Sequence, residues 1–214
     1  MRADNGKGRK GLMFVLSAPS GTGKTTLCRA MEEAFENLRY SVSCTTRPPR
    51  PGDEEGRDYH FISPARFQEM IDRGEFAEWA EIYGQRYGTP RAELEETLRE
   101  GRDAILDIDA QGARQLSRQH LPGVFILLLP PNLEELERRL TGRKTEGRQV
   151  REERLRRARA EVEDARRWYD YLIVNDDLEK SKERLKSIIV AEHCRRERML
   201  EVLEGIFQPW PGRE

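Results

Sequence analysis

The stretch Ser17-Ala18-Pro19-Ser20-Gly21-Thr22-Gly23-Lys24-Thr25-Thr26 decides how the chain is read. A short apolar run, 12–17, precedes it and reads as a buried strand. From residue 23 to about 35 a helix follows, with Leu27, Ala30, Met31 and Ala34 on one side. A strand, a Gly-rich turn and a helix in that order form the setting of a Walker A phosphate loop. Glycines let the backbone wrap around phosphates, and the amides at the helix start, helped by the helix dipole, point at the anion. Lys24 is then expected at the β- and γ-phosphates of ATP, and Thr25 at Mg2+. Ala18, Pro19, Ser20, Gly21, Thr22, Gly23 and Thr26 complete the expected ATP cradle. The strict pattern GxxxxGK[ST] has Gly where this chain has Ala18, whose small side chain fits if its φ is negative.

Outward from the loop, strand and helix patterns alternate. Residues 103–108 and 124–129 read as buried strands, 171–174 as the last strand, and 110–119 as a helix. Asn132 caps a helix through 140, a polar stretch covers 141–149, and a charged helix runs to about 168. The rest of the chain is largely helical. This rhythm predicts an α/β fold of P-loop NTPase type, with a mainly parallel sheet flanked by helices. Residues 40–89 break it. A strand at 40–44 leads into a Pro- and Gly-rich loop at 47–56, then an extended piece at 58–62. Ser63 caps a helix from Pro64 to near Gly74, strands follow at 76–82 and 85–89, and Pro90 opens a helix ending near Gly101. The segment is read as an inserted mixed α+β subdomain.

The bulk properties exclude several classes. A formal net charge of −1 gives no reason to expect a nucleic-acid binder. The apolar runs 12–16 and 124–129 are too short to span a bilayer, and the basic start, 1–10, has no following apolar region and reads as a flexible tail. Cys28, Cys44 and Cys194 are odd in number and form no CxxC pair, which fits the cytoplasm. His60, His120 and His193 lack metal-ligand spacing.

The insert narrows the reading. Ser43-Cys44-Thr45-Thr46-Arg47-Pro48-Pro49-Arg50-Pro51-Gly52 is followed by Gly56-Arg57-Asp58-Tyr59-His60-Phe61. Arg47 and Arg50 are planar cations beside prolines that stiffen the loop, a pair suited to a phosphate dianion, and Tyr59 and Tyr87 can add hydroxyl donors. From here the chain resembles the guanylate kinase family, whose hallmark is a TTRxPRxGE…GxDYxF run after the phosphate loop; Asp53 stands here in place of the Glu. The resemblance continues through Phe76-Ala77-Glu78-Trp79, Tyr87-Gly88-Thr89, the run from Leu106 to Gly112, Arg139 with Arg143, and Asn175-Asp176-Asp177, covering about 12–189.

The resemblance implies a kinase that moves the γ-phosphate of ATP onto GMP or dGMP. It places Arg47, Arg50, Tyr59 and Tyr87 on the GMP phosphate, and Glu78, assisted by Ser43, Thr89 and Asp109, on guanine. A carboxylate matches the N1–H and exocyclic amine of guanine bidentately. Asp107 and Asp109 close an apolar strand, where ligands bind in open α/β sheets; Asp107 is expected at Mg2+ through water, with a helix N-cap as its alternative. Arg139 and Arg143 share a helix face and, with Arg154, resemble lid arginines; a solvated charged face is the alternative. Lys24, Arg47, Arg139, Arg143 and Arg154 make up the expected catalytic set. Asn175 resembles a residue near the adenine of ATP, or is a turn residue.

The implied organisation is a tail at 1–10, a kinase domain at 11–190 and a C-terminal helical extension at 191–214. Within the domain the core comprises 11–39, 90–130 and 156–190, the GMP-binding insert 40–89 and the lid 131–155. A non-catalytic binding module and a ribose-bisphosphate-type kinase are the rival readings. Monomer and homo-oligomer both stay open. Met199, Leu203, Ile206 and Phe207 form an apolar stripe that either packs on the core or makes a subunit contact.

Overall fold

The computed structural model describes residues 10–19, 22–119, 123–132, 134, 135, 138, 156, 163 and 167–206. β1 (Met13–Ser17) is buried at every position. A strand buried on both faces belongs in a parallel sheet covered on both sides. Its apolar residues divide accordingly. Leu12, Phe14 and Leu16 pack with Leu27, Cys28 and Met31 of α1 (Lys24–Ala34). Met13 and Val15 face the other way, toward the helices that cover the opposite face.

The next strand, β2 (Leu38–Tyr40), lies at one edge of this sheet. Residues 41–43 then cross into a second sheet, which holds β3 (Cys44–Thr45), β4 (His60–Phe61), β5 (Phe76–Ile82) and β6 (Gln85–Pro90) in the order β4-β3-β6-β5. The single strand expected at 40–44 is therefore two strands in two sheets. Tyr40 pairs with Ile105 of the main sheet, whereas Cys44 pairs with Gly88 and His60 of the second. Apolar and β-forming residues run on through the crossing, and composition alone does not reveal a change of partner.

Between β4 and β5, α2 (Pro64–Asp72) starts at Ser63, whose hydroxyl accepts the Arg66 N–H at 3.1 Å. Phe67 of this helix stacks on Phe76 with ring centroids 4.5 Å apart, forming a small separate core with Cys44 and Met70. The β5–β6 hairpin turns through Tyr83 and Gly84, whose φ values of 52° and 74° are those the tight two-residue hairpin turn requires.

After α3 (Arg91–Arg99) the chain re-enters the main sheet as β7 (Asp103–Ile108), then runs through α4 (Ala110–Ser117), β8 (Gly123–Leu129) and β9 (Tyr171–Val174). The sheet order is β2-β7-β1-β8-β9, and all its pairs are parallel. Leu94 of α3 and Ala113 and Leu116 of α4 cover the face of Met13 and Val15. Leu185 and Ile189 of α5 (Leu178–His193) cover the other face beside α1.

α6 (Arg196–Ile206) follows, with Met199 43% and Leu203 42% exposed, so these two residues of the apolar stripe do not pack on the core. Among the described residues no helix is long and apolar enough to cross a membrane.

Asp103 ties the end of α5 to the start of β1. Its Oδ1 accepts the Leu12 N–H at 2.8 Å, and its Oδ2 lies 2.8 Å from His193 Nε2, with the Asp103 side chain 6% exposed. Asp103→Ala would leave a buried N–H without its acceptor, at a cost of about 1–3 kcal/mol. At roughly 2–4 °C per kcal/mol for a chain of this size, thermal melting is expected to show a midpoint several degrees lower. An unchanged midpoint would show that water replaces the carboxylate at no loss.

Candidate active site

The carboxyl ends of β1 and β7 lie side by side, with Leu16 paired to Asp107 and Ser17 to Ile108. The first residues of α1 fold back onto this edge. Lys24 Nζ donates to the Ile108 carbonyl at 2.7 Å and lies 2.9 Å from Asp107 Oδ1, while Thr25 Oγ1 donates to Asp107 Oδ2. Burial alone would lower the Lys24 pKa, but the Asp107 charge and hydrogen bond outweigh it and hold the ammonium above its ordinary value. Lys24 thus rests on an acid and a backbone carbonyl.

Gly23 enters the helix with φ 86°, in the left-handed region open to glycine, and among the described residues no side chain caps the helix start. The first amides of an α-helix have no partner within the helix, and the positive end of the dipole lies with them. Ala18 keeps a negative φ, since Tyr83 is the one non-glycine residue with positive φ among those described. Thr22 is buried and its hydroxyl donates to the Pro19 carbonyl at 2.6 Å. Thr26 is exposed. Ser20 and Gly21 lie outside the described residues.

The second sheet approaches this edge from one side. Arg47 is held by Asp53, with Nη2 2.8 Å from Oδ2, and its guanidinium lies over the rings of Tyr59 and Phe61 at 5.3 and 5.6 Å. Asp53 also accepts the Arg50 N–H at 2.7 Å, so the residue in place of the family's Glu closes the loop on itself. The backbone bond to Arg50, and then Arg47, hold its carboxyl below the usual range. Arg50 is exposed.

Tyr59 and Tyr87 meet edge to face at 5.8 Å. The phenol pKa of Tyr59 is raised by burial, then by Asp107 and Tyr87, so the field of the main-sheet acid reaches the second sheet. A further tie comes from α1. Arg29 donates to the Arg57 carbonyl and lies 3.8 Å over the Tyr40 ring, and Glu32 accepts the Tyr40 N–H at 2.9 Å.

Glu78 is 4% exposed. A register shift between Phe76 and Glu78 interrupts the β5–β6 ladder, the kind of irregularity that re-aims a side chain. Thr89, paired with Glu78 across the hairpin, donates its hydroxyl to Glu78 Oε1 at 2.6 Å. Burial, opposed by the Thr89 bond and reinforced by the Asp109 charge, pushes the Glu78 carboxyl up to about 7. Asp109 caps α4, its Oδ1 accepting the Gly112 N–H at 2.9 Å. The N-cap given as the alternative for Asp107 is thus filled by Asp109, while Asp107 meets Lys24 and Thr25. Ser43 is half-buried, and its carbonyl accepts the His60 N–H at 2.9 Å.

Arg139, Arg143 and Arg154 lie outside the described residues. The cap expected at Asn132 is present, its Oδ1 accepting the Glu135 N–H at 2.7 Å. Asn175, expected near adenine, is 6% exposed and donates Nδ2 to the Thr22 carbonyl at 2.6 Å.

Three residues of α4 and its end, unassigned by the sequence reading, seat the second sheet on the core. Gln115 Nε2 donates to the Trp79 carbonyl at 2.7 Å, and Gln119 Nε2 to the Ala77 carbonyl at 2.7 Å. A β-carbon on Gly112 would lie 2.1 Å from Glu78 Oε2. The Gln111, Gln115, Gln119 spacing, four apart on one helix face, was the readable signal.

The family model described as Guanylate kinase matches residues 10–192. A guanylate kinase of Geobacter sulfurreducens is 52% identical over 199 residues, 93% of this chain and 98% of that protein. One of Myxococcus xanthus is 48% identical over 189 residues, 88% of this chain and 90% of that protein. The crystal structure of guanylate kinase from Anaplasma phagocytophilum superposes with a TM-score of 0.74 at 35% identity, covering 92% of this chain and 96% of that one.

The contact at Gly112 is testable by itself. Helix propensity alone would make Gly112→Ala stabilising by about 1 kcal/mol. The clash with Glu78 reverses the sign, and a net loss of about 1–3 kcal/mol is expected, as for other overpacked sites. In a Glu78→Ala background the same change is expected to cost far less, because the clashing oxygen is gone. Thermal melts of the four proteins check this; equal losses in both backgrounds would contradict the packing.

Proposed function

The chain belongs to the guanylate kinase family, and we propose that it transfers the γ-phosphoryl group of ATP to GMP or dGMP, with its residues divided as follows. The core, 11–39, 90–130 and 156–190, holds ATP; the insert, 40–89, holds the acceptor; the lid, 131–155, contributes Arg139, Arg143 and Arg154. The tail, 1–10, and the extension, 191–214, stand outside this division, and the setting is the cytoplasm. The observation that carries the reading is the buried Glu78 carboxyl, hydrogen-bonded by Thr89 and seated against Gly112, whose N–H is accepted by Asp109, two residues after the Asp107 that meets Lys24.

The transferring group is anionic and loosely bonded at the transition state, so catalysis is positioning and charge neutralisation. The backbone N–H groups of the loop 18–26, Pro19 excepted, wrap the ATP phosphates. Lys24 supplies the cation at the β- and γ-oxygens. Arg47 and Arg50, with the Tyr59 and Tyr87 hydroxyls, hold the GMP phosphate, whose oxygen is a competent nucleophile without a general base. Glu78, assisted by Ser43, Thr89 and Asp109, reads guanine.

Thr25 and Asp107 present the hard oxygen donors that Mg2+ prefers. Among the described residues no three His, Cys, Asp or Glu side chains form a metal cluster, so the pair fits an ion shared with ATP phosphates and water rather than a protein cage. Bound there, Mg2+ supplies neutralisation of phosphate charge.

Adenine presents an acceptor at N1 and no amine at C2, and would leave Glu78 buried without donors from the base. Sites built on such pairing discriminate by roughly 10⁴–10⁵-fold. ATP-dependent turnover of GMP, dGMP, AMP, CMP, UMP and dTMP tests the proposal. GMP and dGMP are expected to be the substrates, and Glu78→Gln is expected to lower kcat/KM for GMP and narrow the GMP/AMP ratio with ATP-analogue affinity almost unchanged. An unchanged ratio in the variant would show that guanine is read elsewhere.

A further inference from the structure

A buried relay connects α5 to the phosphate loop. Asn175 follows the last strand, its N–H donating to the Leu129 carbonyl at 2.7 Å. Its side-chain Nδ2 donates to the Thr22 carbonyl at 2.6 Å, and its Oδ1 accepts the Ser181 hydroxyl at 2.9 Å. Ser181 is 0% exposed and lies in the first turn of α5, whose start is capped by Asp177 through the Lys180 N–H. A carbonyl only accepts, so Thr22 fixes the amide with Nδ2 toward itself, and the Ser181 hydroxyl is left to donate to Oδ1.

The bond acts on the peptide that joins Thr22 to Gly23. In a planar trans peptide the C=O and N–H point in opposite directions. Holding the Thr22 carbonyl on Asn175 therefore turns the Gly23 N–H to the opposite face of the turn. Gly23 is also the residue at φ 86°, and a β-carbon on it would lie 3.5 Å from Asn175 Nδ2. The left-handed step and the anchored carbonyl together set how the first amides of α1 are presented.

We infer that Asn175, supported by Ser181, is a positioning residue for the phosphate loop: it holds the Thr22 carbonyl and so orients the Gly23 amide toward the phosphates. This rests on the assignment of residues 18–26 to ATP.

The test measures Kd for a non-hydrolysable ATP analogue and for GMP, separately, by calorimetry on the full chain, with thermal melts alongside. Asn175→Ala is expected to weaken the ATP analogue roughly ten- to a hundredfold, the range for a lost buried hydrogen bond. GMP affinity should change by less than about twofold. Ser181→Ala, which keeps the amide but removes its support, is expected to act in the same direction with a smaller effect, and it carries the test if Asn175→Ala does not fold. Equal weakening of both ligands with a lower melting midpoint would mean that the relay only stabilises the fold, and unchanged ATP-analogue affinity in the folded variants would also overturn the inference. Lys24→Ala separates the two levels. If it too leaves ATP-analogue affinity intact, the loop assignment itself fails; if it alone weakens binding, only the role of Asn175 falls.

Discussion

The seating of β5 on α4 is the contact on which the site depends. Gln115 and Gln119 hold the Trp79 and Ala77 carbonyls, and Gly112 leaves the space that the Glu78 carboxylate fills. Burial there raises the carboxyl from an ordinary 4.5 to about 7. At about 1.4 kcal/mol per unit, ionising it above pH 7 in the folded protein costs roughly 3 kcal/mol relative to the unfolded chain. A folded pKa raised in this way means the associated stability is present below about 4.5 and lost as pH rises through about 7. On the proposed function, donors from guanine offset that cost and adenine offers none, so that selectivity and an energetic cost to the empty protein would come from one packing arrangement.

The phosphate end obeys a similar rule, with opposite charge. Burial disfavours the Lys24 ammonium, yet the charge and hydrogen bond of Asp107 keep it protonated. The same Asp107 accepts from Thr25 and bears on Tyr59 of the second sheet. Arg29 adds a link from α1 to the Arg57 carbonyl. The two halves of the site are thus linked by the Asp107 charge and by the Arg29 bond from α1 to the insert.

Much of the fold was legible because its signals are local. The strand expected at 103–108 has those bounds in the structure, and the Ser63 cap and Pro90 helix entry follow from residue chemistry at single positions. The 40–44 stretch was misread because a strand's partner sheet is a tertiary property. The contacts of the candidate site were legible where a motif names the residue type, as for Lys24 meeting Asp107 and Glu78 meeting Thr89. It was illegible where the structure depends on an absent atom, as at Gly112, or on a backbone carbonyl far away in sequence, as for Asn175 and Thr22, 153 residues apart.

The central claim is that guanine is read by a carboxylate whose burial holds it near neutrality in the free protein. The most direct measurement is the number of protons exchanged on GMP binding, from calorimetry at pH 7 in buffers of different ionisation enthalpy. A carboxyl at about 7 is half protonated there, and guanine donors drive it to the ionised form, so wild type is expected to release roughly half a proton more than Glu78→Gln. Subtracting the variant removes the contribution of the GMP phosphate, whose second pKa is about 6 by analogy with phosphorylated side chains. Equal proton release in the two proteins, or uptake attributable to Glu78, would contradict the account.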